Sequence, residues 1–234
     1  MFNVLGIVYL FIAAVTASAN DRTSTPGPSS IFLWARLQTK TDPYWNRHAE
    51  YDDSLVAFIA SHAFPGARVQ LGNVPASQLE AMCEYPFIYS QSISALEENE
   101  LTQVAEYLRR GGFLFIDLCR NIQVNPDPDK VLETHVARLR TEFPELTLRT
   151  VETSHPAYSL FFVLKDRPIP SAGTHGRAYP LYAFELQGRT IAIMAMNGFQ
   201  CTWSGYAKID GRKSALATAA VQTATNIYLY ALTR

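Results

Sequence analysis

Asp117 is the residue of this sequence whose type and position point most directly to chemistry. It lies within the run Phe113 to Leu118, in which it is the only residue that is not apolar. An ionisable group at the exit of a buried strand costs free energy unless it is paired or used. A role in acid–base chemistry or ligand binding is one interpretation. Capping of a helix, or an ion pair with Arg36 or Arg120, is the other.

Cys119 follows two residues later and is a candidate nucleophile, with His155 as its candidate base. Together with Asp117 they would form a hydrolase site for amide or glycan bonds. A nucleophile lifted out of a strand-to-helix turn needs small neighbours, whereas Leu118 and Arg120 flank this cysteine.

Structural roles are therefore the preferred interpretation for both residues. For Cys119 this is burial or a disulfide with Cys201, and for His155 it is a set of hydrogen bonds that hold its loop.

The common cofactor and metal motifs are missing from the sequence. It contains no Gly-x-Ser-x-Gly, His-Glu-x-x-His, Gly-x-Gly-x-x-Gly, P-loop or Cys-x-x-Cys pattern. Only the tertiary fold could assemble a metal site, from His48, His155, His175 and Asp53. We therefore expect neither a cofactor nor a metal.

The elements that position these residues alternate between strands and helices. Ser94 and Glu97 match a capping box, and apolar residues at helical spacing follow them up to Gly111. Apolar runs at 181–186 and 190–196, joined by Gln187-Gly188-Arg189, predict a hairpin. The pattern predicts an α/β fold with a doubly wound, mainly parallel sheet and an antiparallel hairpin near the C-terminus.

Ligands of such sheets bind beyond the carboxyl ends of the strands. Polar and aromatic residues cluster in the segments that follow the predicted strands, and we expect them to form one pocket rim. Trp45 and Trp203 would serve there as aromatic walls, for example against a sugar ring. The expected ligand-binding residues are Arg36, Trp45, His48, Asp53, Ser90, Gln91, Arg120, Asn121, Asn197 and Trp203.

Composition and the N-terminal segment limit the class of protein. The chain has 234 residues and a formal net charge of -1, without the basic excess of a nucleic-acid-binding domain. The apolar run Val4 to Val15, followed by Ala17-Ser18-Ala19, predicts a signal peptide cleaved after Ala19, with an uncleaved anchor as the alternative. Residues 20–30 form a predicted flexible linker, and residues 31–234 a single domain. The expected location is the periplasm or the exterior.

Several phrases of the sequence resemble a bacterial family known as domain of unknown function 4159. They are Trp34 to Leu37, Tyr85 to Tyr89, Gly111 to Asp117, His155-Pro156, Gly188-Arg189, Cys201 to Trp203 and Asn226 to Leu232. The resemblance implies a flavodoxin-like fold, like that of class I glutamine amidotransferases, often in exported or membrane-attached proteins, and implies no activity. The chain departs from the family pattern at Leu118 and at Gly198-Phe199-Gln200, where acidic residues are common.

Three classes of function remain open from the sequence. The preferred hypothesis is an exported domain that binds a small polar ligand or a cell-envelope partner at the carboxyl ends of the strands. A hydrolase using Asp117, Cys119 and His155 is the first alternative. A structural subunit of an envelope complex is the second, and it would have no polar pocket.

Overall fold

A computed structural model describes residues 31–118, 127–165, 167–169, 178–208 and 215–234. Within these ranges, no helix is both long and apolar enough to cross a membrane. The expected signal peptide and linker, residues 1–30, lie outside the described residues.

Seven strands and six helices follow one another along the described chain. The strands are β1 Ile31–Gln38, β2 Arg68–Pro75, β3 Phe87–Ser90, β4 Phe113–Asp117, β5 Thr147–Thr150, β6 Leu181–Leu186 and β7 Arg189–Ala195. The helices are α1 Asp52–Ala63, α2 Leu79–Cys83, α3 Glu98–Arg109, α4 Pro128–Glu142, α5 Phe199–Lys208 and α6 Ala215–Thr233. Short 3₁₀ turns lie at Ala49–Tyr51 and Pro156–Tyr158.

The strands form one sheet in the order β2-β1-β3-β4-β7-β6-β5. The first five in that order are parallel, and β6 runs antiparallel to both of its neighbours. The predicted α/β fold with a mainly parallel sheet and a C-terminal antiparallel hairpin is confirmed. The strand order reverses between β1 and β3, which is where ligands bind in sheets of this type.

Helices cover both faces of the sheet, and the two-residue period of the strands divides the core between them. One core contains Trp34, Phe87 and Phe115 with residues of α1, α5 and α6. The other contains Ile88 and Leu114 with residues of α2, α3 and α4. Burial on both faces explains why the central strands are almost wholly apolar.

The predicted capping box at the start of α3 is three residues too early. The helix begins at Glu98, and Glu100 accepts the backbone amide of Glu97 at 3.0 Å. The amide of Ser94 instead donates to the hydroxyl of Ser92 at 3.1 Å. The loop before α3 is therefore held by serine hydrogen bonds, which helix-start patterns do not reveal.

Candidate functional site

The carboxyl ends of β1, β3 and β4 meet at one edge of the sheet and enclose a pocket of about 360 Å³. The pocket lies where the strand order reverses. Its lining comes from the segment after β1 (Asp42, Tyr44, Arg47), the segment after β3 (Gln91, Ser92, Ser94, Ala95), Leu118 after β4, and α4 (Val131, Thr134, His135). Three of the segments expected to form the pocket rim, those after β1, β3 and β4, line this pocket.

A buried ion pair lies behind this edge. The Arg36 guanidinium donates to both carboxylate oxygens of Asp52, at 2.8 Å and 2.7 Å, and is 4.6 Å from the ring centre of Tyr89. It also donates to the carbonyl oxygens of Trp45 and Arg47, at 3.3 Å and 3.5 Å. Arg36 therefore ties the segment after β1 to α1 and holds it beside the pocket.

Asp117 is fully buried and accepts hydrogen bonds at the start of α5. Its carboxylate accepts the backbone amides of Phe199 at 2.9 Å and Gln200 at 2.7 Å, and the Tyr89 hydroxyl lies at 3.4 Å. Burial raises its pKa to about 6, although these hydrogen bonds and the Arg36 charge oppose that rise. The geometry shows helix capping, one of the two roles expected for this residue.

Two glutamines connect Asp117 and Tyr89 to the pocket. The Gln200 side-chain carbonyl accepts the Tyr89 hydroxyl at 2.9 Å and the Gln91 amide, and its own amide donates to the Arg47 carbonyl. Gln91 donates to the same carbonyl at 3.0 Å. These hydrogen bonds hold the backbone of Arg47 in place, so its side chain extends from a fixed position.

Ser92 and His135 form a hydrogen-bonded pair in the pocket. The Ser92 Oγ to His135 Nε2 distance is 3.0 Å, and His135 Nδ1 lies 2.8 Å from the carbonyl oxygen of Val131. A carbonyl only accepts, so Nδ1 carries the proton and Nε2 is the acceptor for Ser92. Burial lowers the pKa of His135, which favours the neutral ring.

Sequence reasoning missed three buried members of this region. Asp52 shares the helical stripe of Leu55 and Ile59, but the exposed Asp53 next to it was expected instead. His135 lies four residues before the buried Leu139, a spacing that places it on the packed face of α4. Gln200 had no sequence pattern that could have identified it, because its partners come from distant strands.

The expected ligand-binding residues divide between this edge and other places. Arg36, Ser90 and Gln91 are buried there, and Ser90 donates to the carbonyl of Ser92 at 2.9 Å. Trp45 and His48 are half-buried in the segment after β1, whereas Asp53 is exposed on α1.

Trp203 and Asn197 do not form a pocket rim. Trp203 is buried on α5 with its ring 5.6 Å from that of Tyr89, so the expected aromatic wall is part of the core. The Asn197 side chain bonds both the amide and the carbonyl of Tyr179, at 2.9 Å each, which places it in a structural role before β6.

His155 lies far from Asp117, contrary to the hydrolase hypothesis. Its ring packs on Tyr230 at 4.6 Å, and the Tyr230 hydroxyl contacts Thr190 near the start of β7 at 2.9 Å. Asp117 pairs with Ala195 at the other end of that strand. Five residues of strand separate Thr190 from Ala195, about 17 Å at ~3.3 Å per residue. The residues that directly follow β5 carry His155 back toward the start of β7.

The remaining expected residues lie partly outside the described ranges. Cys119, Arg120, Asn121 and His175 are among the residues that the structure does not describe. Cys201 is disulfide-bonded, and Cys83 is a free, exposed thiol. Pairing of Cys119 with Cys201 stays a prediction. In the described part of the chain, no three His, Cys, Asp or Glu side chains are grouped as metal ligands.

Comparison with known families gives one result for nearly the whole described chain. The family model described as a domain of unknown function (DUF4159) matches residues 34–232. A comparison with curated proteins finds no match.

Proposed function

This chain belongs to the family described as domain of unknown function DUF4159, and we propose that it binds a small polar ligand that carries an anionic group. The observation that carries the proposal is the pocket of about 360 Å³ at the strand-order reversal, lined mainly by polar side chains. A volume of this order lies at the lower end of the range for ligand pockets, which suits a ligand about the size of one sugar ring.

Arg47 supplies the anion-binding group. Its backbone is held by Gln91 and Gln200, and its guanidinium lies 4.8 Å from the ring centre of Tyr44. Among the described residues, no acidic side chain forms an ion pair with it. A guanidinium that is positioned and not paired binds carboxylate or phosphate groups in a forked geometry.

The rest of the pocket favours a hydroxylated ligand. Ser92, Ser94 and Thr134 provide hydroxyl groups, and Asp42 provides a carboxylate whose Oδ1 accepts the Tyr44 amide at 2.8 Å. Tyr44 is 58% exposed, so its ring offers an aromatic surface to a sugar-like ring. These groups support a sugar acid or a small phosphorylated polyol over an apolar ligand.

Binding of D-glucuronate, but not of the uncharged D-glucose, is the expected result. Glycerol 3-phosphate and glycerol form a second matched pair. Amide chemical-shift changes at Gln91 and Ser92 in NMR titrations would locate the ligand. Arg47→Gln should weaken binding at least about 10-fold, because it removes one charge-assisted contact.

Arg110→Gln is the matched control, because Arg110 pairs with Glu80 at 3.0 Å, away from the residues that line the pocket. It should bind as the wild type does. Equal shifts with the charged and uncharged probes, or no shift at the pocket with either acid, would refute an anion-binding site.

We also propose that the protein is exported, with residues 1–19 as the signal peptide. The apolar run and small residues at the cleavage position support this. Intact mass of protein recovered from the periplasm of a Gram-negative host should lack residues 1–19. Alkylation of the unfolded, unreduced protein should modify Cys83 alone if Cys119 pairs with Cys201. A full-length mass or three alkylated thiols would contradict these two expectations.

A further inference from the structure

We propose that Ser92 is a nucleophile activated by His135, and that the pocket hydrolyses an acyl ester of the anionic ligand. This rests on the proposed function for the identity of the substrate, but the reactive pair itself does not depend on it. A nucleophile and base within hydrogen-bond reach, with the base oriented by a third group, is the arrangement that generates an activated hydroxyl.

In this pair Ser92 is the donor and His135 the acceptor, as removal of the serine proton requires. The Val131 carbonyl fixes the proton of His135 on Nδ1, 2.8 Å away, so Nε2 is an unprotonated acceptor. Ser92 Oγ, 3.0 Å from Nε2, is then the donor. His135 is 2% exposed on α4, and both of its ring nitrogens are within hydrogen-bond distance of a partner, so the ring is held in this orientation.

Two further contacts favour the alkoxide form of Ser92. The backbone amide of Ser94 donates to Ser92 Oγ at 3.1 Å, and the Ser94 hydroxyl lies at 2.8 Å. A backbone N–H that points at an oxygen stabilises negative charge as it develops there. The same contacts also shape the loop, so a purely structural role for the Ser92 hydroxyl is the outcome that the test must distinguish.

The absence of a Gly-x-Ser-x-Gly elbow does not conflict with this role. That motif lifts a serine out of a tight strand-to-helix turn. Ser92 instead lies two residues beyond the end of β3, in a loop that reaches α3 only at Glu98. It is half-buried and lines the pocket without any strained turn.

The reaction has two stages, acylation of Ser92 and hydrolysis of the resulting acyl-serine. Ser92 Oγ bonds to the ester carbonyl carbon, its proton moves to His135 Nε2, and the carbonyl oxygen takes the negative charge. The bond to the leaving oxygen then breaks as the imidazolium returns the proton to it, leaving an acyl-serine. A water molecule then bonds to the acyl carbon and gives a proton to His135 Nε2. The bond to Ser92 Oγ breaks as the imidazolium returns this proton to Oγ, which releases the carboxylic acid. Arg47, in the same pocket, holds the anionic group of the substrate and so keeps the ester in position during both stages.

A fluorescent fluorophosphonate is the direct probe, since it forms a serine–phosphorus bond and releases fluoride. The full chain should be labelled on the peptide that contains Ser92. Ser92→Ala should abolish this label, and His135→Gln should slow it about 100-fold or more. Ser61→Ala, which removes an exposed hydroxyl on α1 that does not line the pocket, is the matched control and should keep the wild-type rate.

Ser92→Cys keeps the proposal testable if the histidine variant does not fold. The introduced thiol, paired with His135, should react with iodoacetamide at least about 10-fold faster than the exposed Cys83 of the same molecule. Folded wild type that is not labelled at Ser92, or an introduced thiol that reacts no faster than Cys83, overturns the proposal. If Ser92→Ala still binds D-glucuronate in either case, the binding function stands alone.

Discussion

Arg36→Met is expected to lower the free energy of unfolding by about 3 to 5 kcal/mol. Arg36 and Asp52 are 1% and 5% exposed, and they share two hydrogen bonds of 2.8 Å and 2.7 Å. Removal of the guanidinium leaves a buried carboxylate without its cationic partner. Urea denaturation at neutral pH, followed by circular dichroism, measures the loss.

The double variant Arg36→Met/Asp52→Leu separates the two causes of that loss. With both charges replaced by apolar groups, most of the stability should return. A double variant as unstable as the single one would assign the loss to the carbonyls of Trp45 and Arg47, which also accept from Arg36. If Arg36→Met lowers the free energy of unfolding by less than about 1 kcal/mol, Asp52 does not remain as a buried charge without a partner, and the prediction is wrong.

Asp117→Asn is expected to remove a pH dependence of stability that the wild type shows between about pH 4 and pH 7. Burial raises the pKa of Asp117 from 3.8 to about 6, so the folded protein binds this proton more tightly than the unfolded chain does. The stabilising contribution is present below pH 3.8 and is lost as the pH rises through about 6. The loss over this interval is about 2 to 3 kcal/mol.

The measurement compares the free energies of unfolding of the wild type and Asp117→Asn, by urea denaturation at about pH 4 and at about pH 7. The stability advantage of the wild type over the variant should shrink by that amount at the higher pH. Asp53→Asn, at an exposed position on α1, is the control and should keep the wild-type change. An advantage that grows with pH would mean that the amides of Phe199 and Gln200 outweigh burial.

Hydrogen bonds connect the Arg36–Asp52 pair and Asp117 to the backbone of the pocket. Arg36 and Gln200 both bond the Arg47 carbonyl, and Tyr89 links Gln200 to Asp117. The carboxylate of Asp117, which sequence reasoning placed in the site, thus lies behind it. Its role in the structure is to help fix the backbone from which Arg47 reaches the pocket.

The sequence alone determined the fold class and the edge of the sheet where the pocket lies. Apolar runs of strand length alternate with helical periods, and this alternation forces helices onto both faces of a parallel sheet. Gln187-Gly188 predicted the hairpin, and both residues have positive φ, 52° and 78°. Polar residues after successive strands could meet only at the carboxyl edge.

Only the tertiary structure decided which polar residues share a contact. Asp52 rather than Asp53 pairs with Arg36 because the rotation of α1 aims one of them at the sheet. His135 reaches Ser92 across 43 residues, and His155 is carried about one strand length away from Asp117. Periodicity fixes the face on which a side chain lies. The path of the connecting loops and the packing of helices set its partner, and no local pattern encodes either.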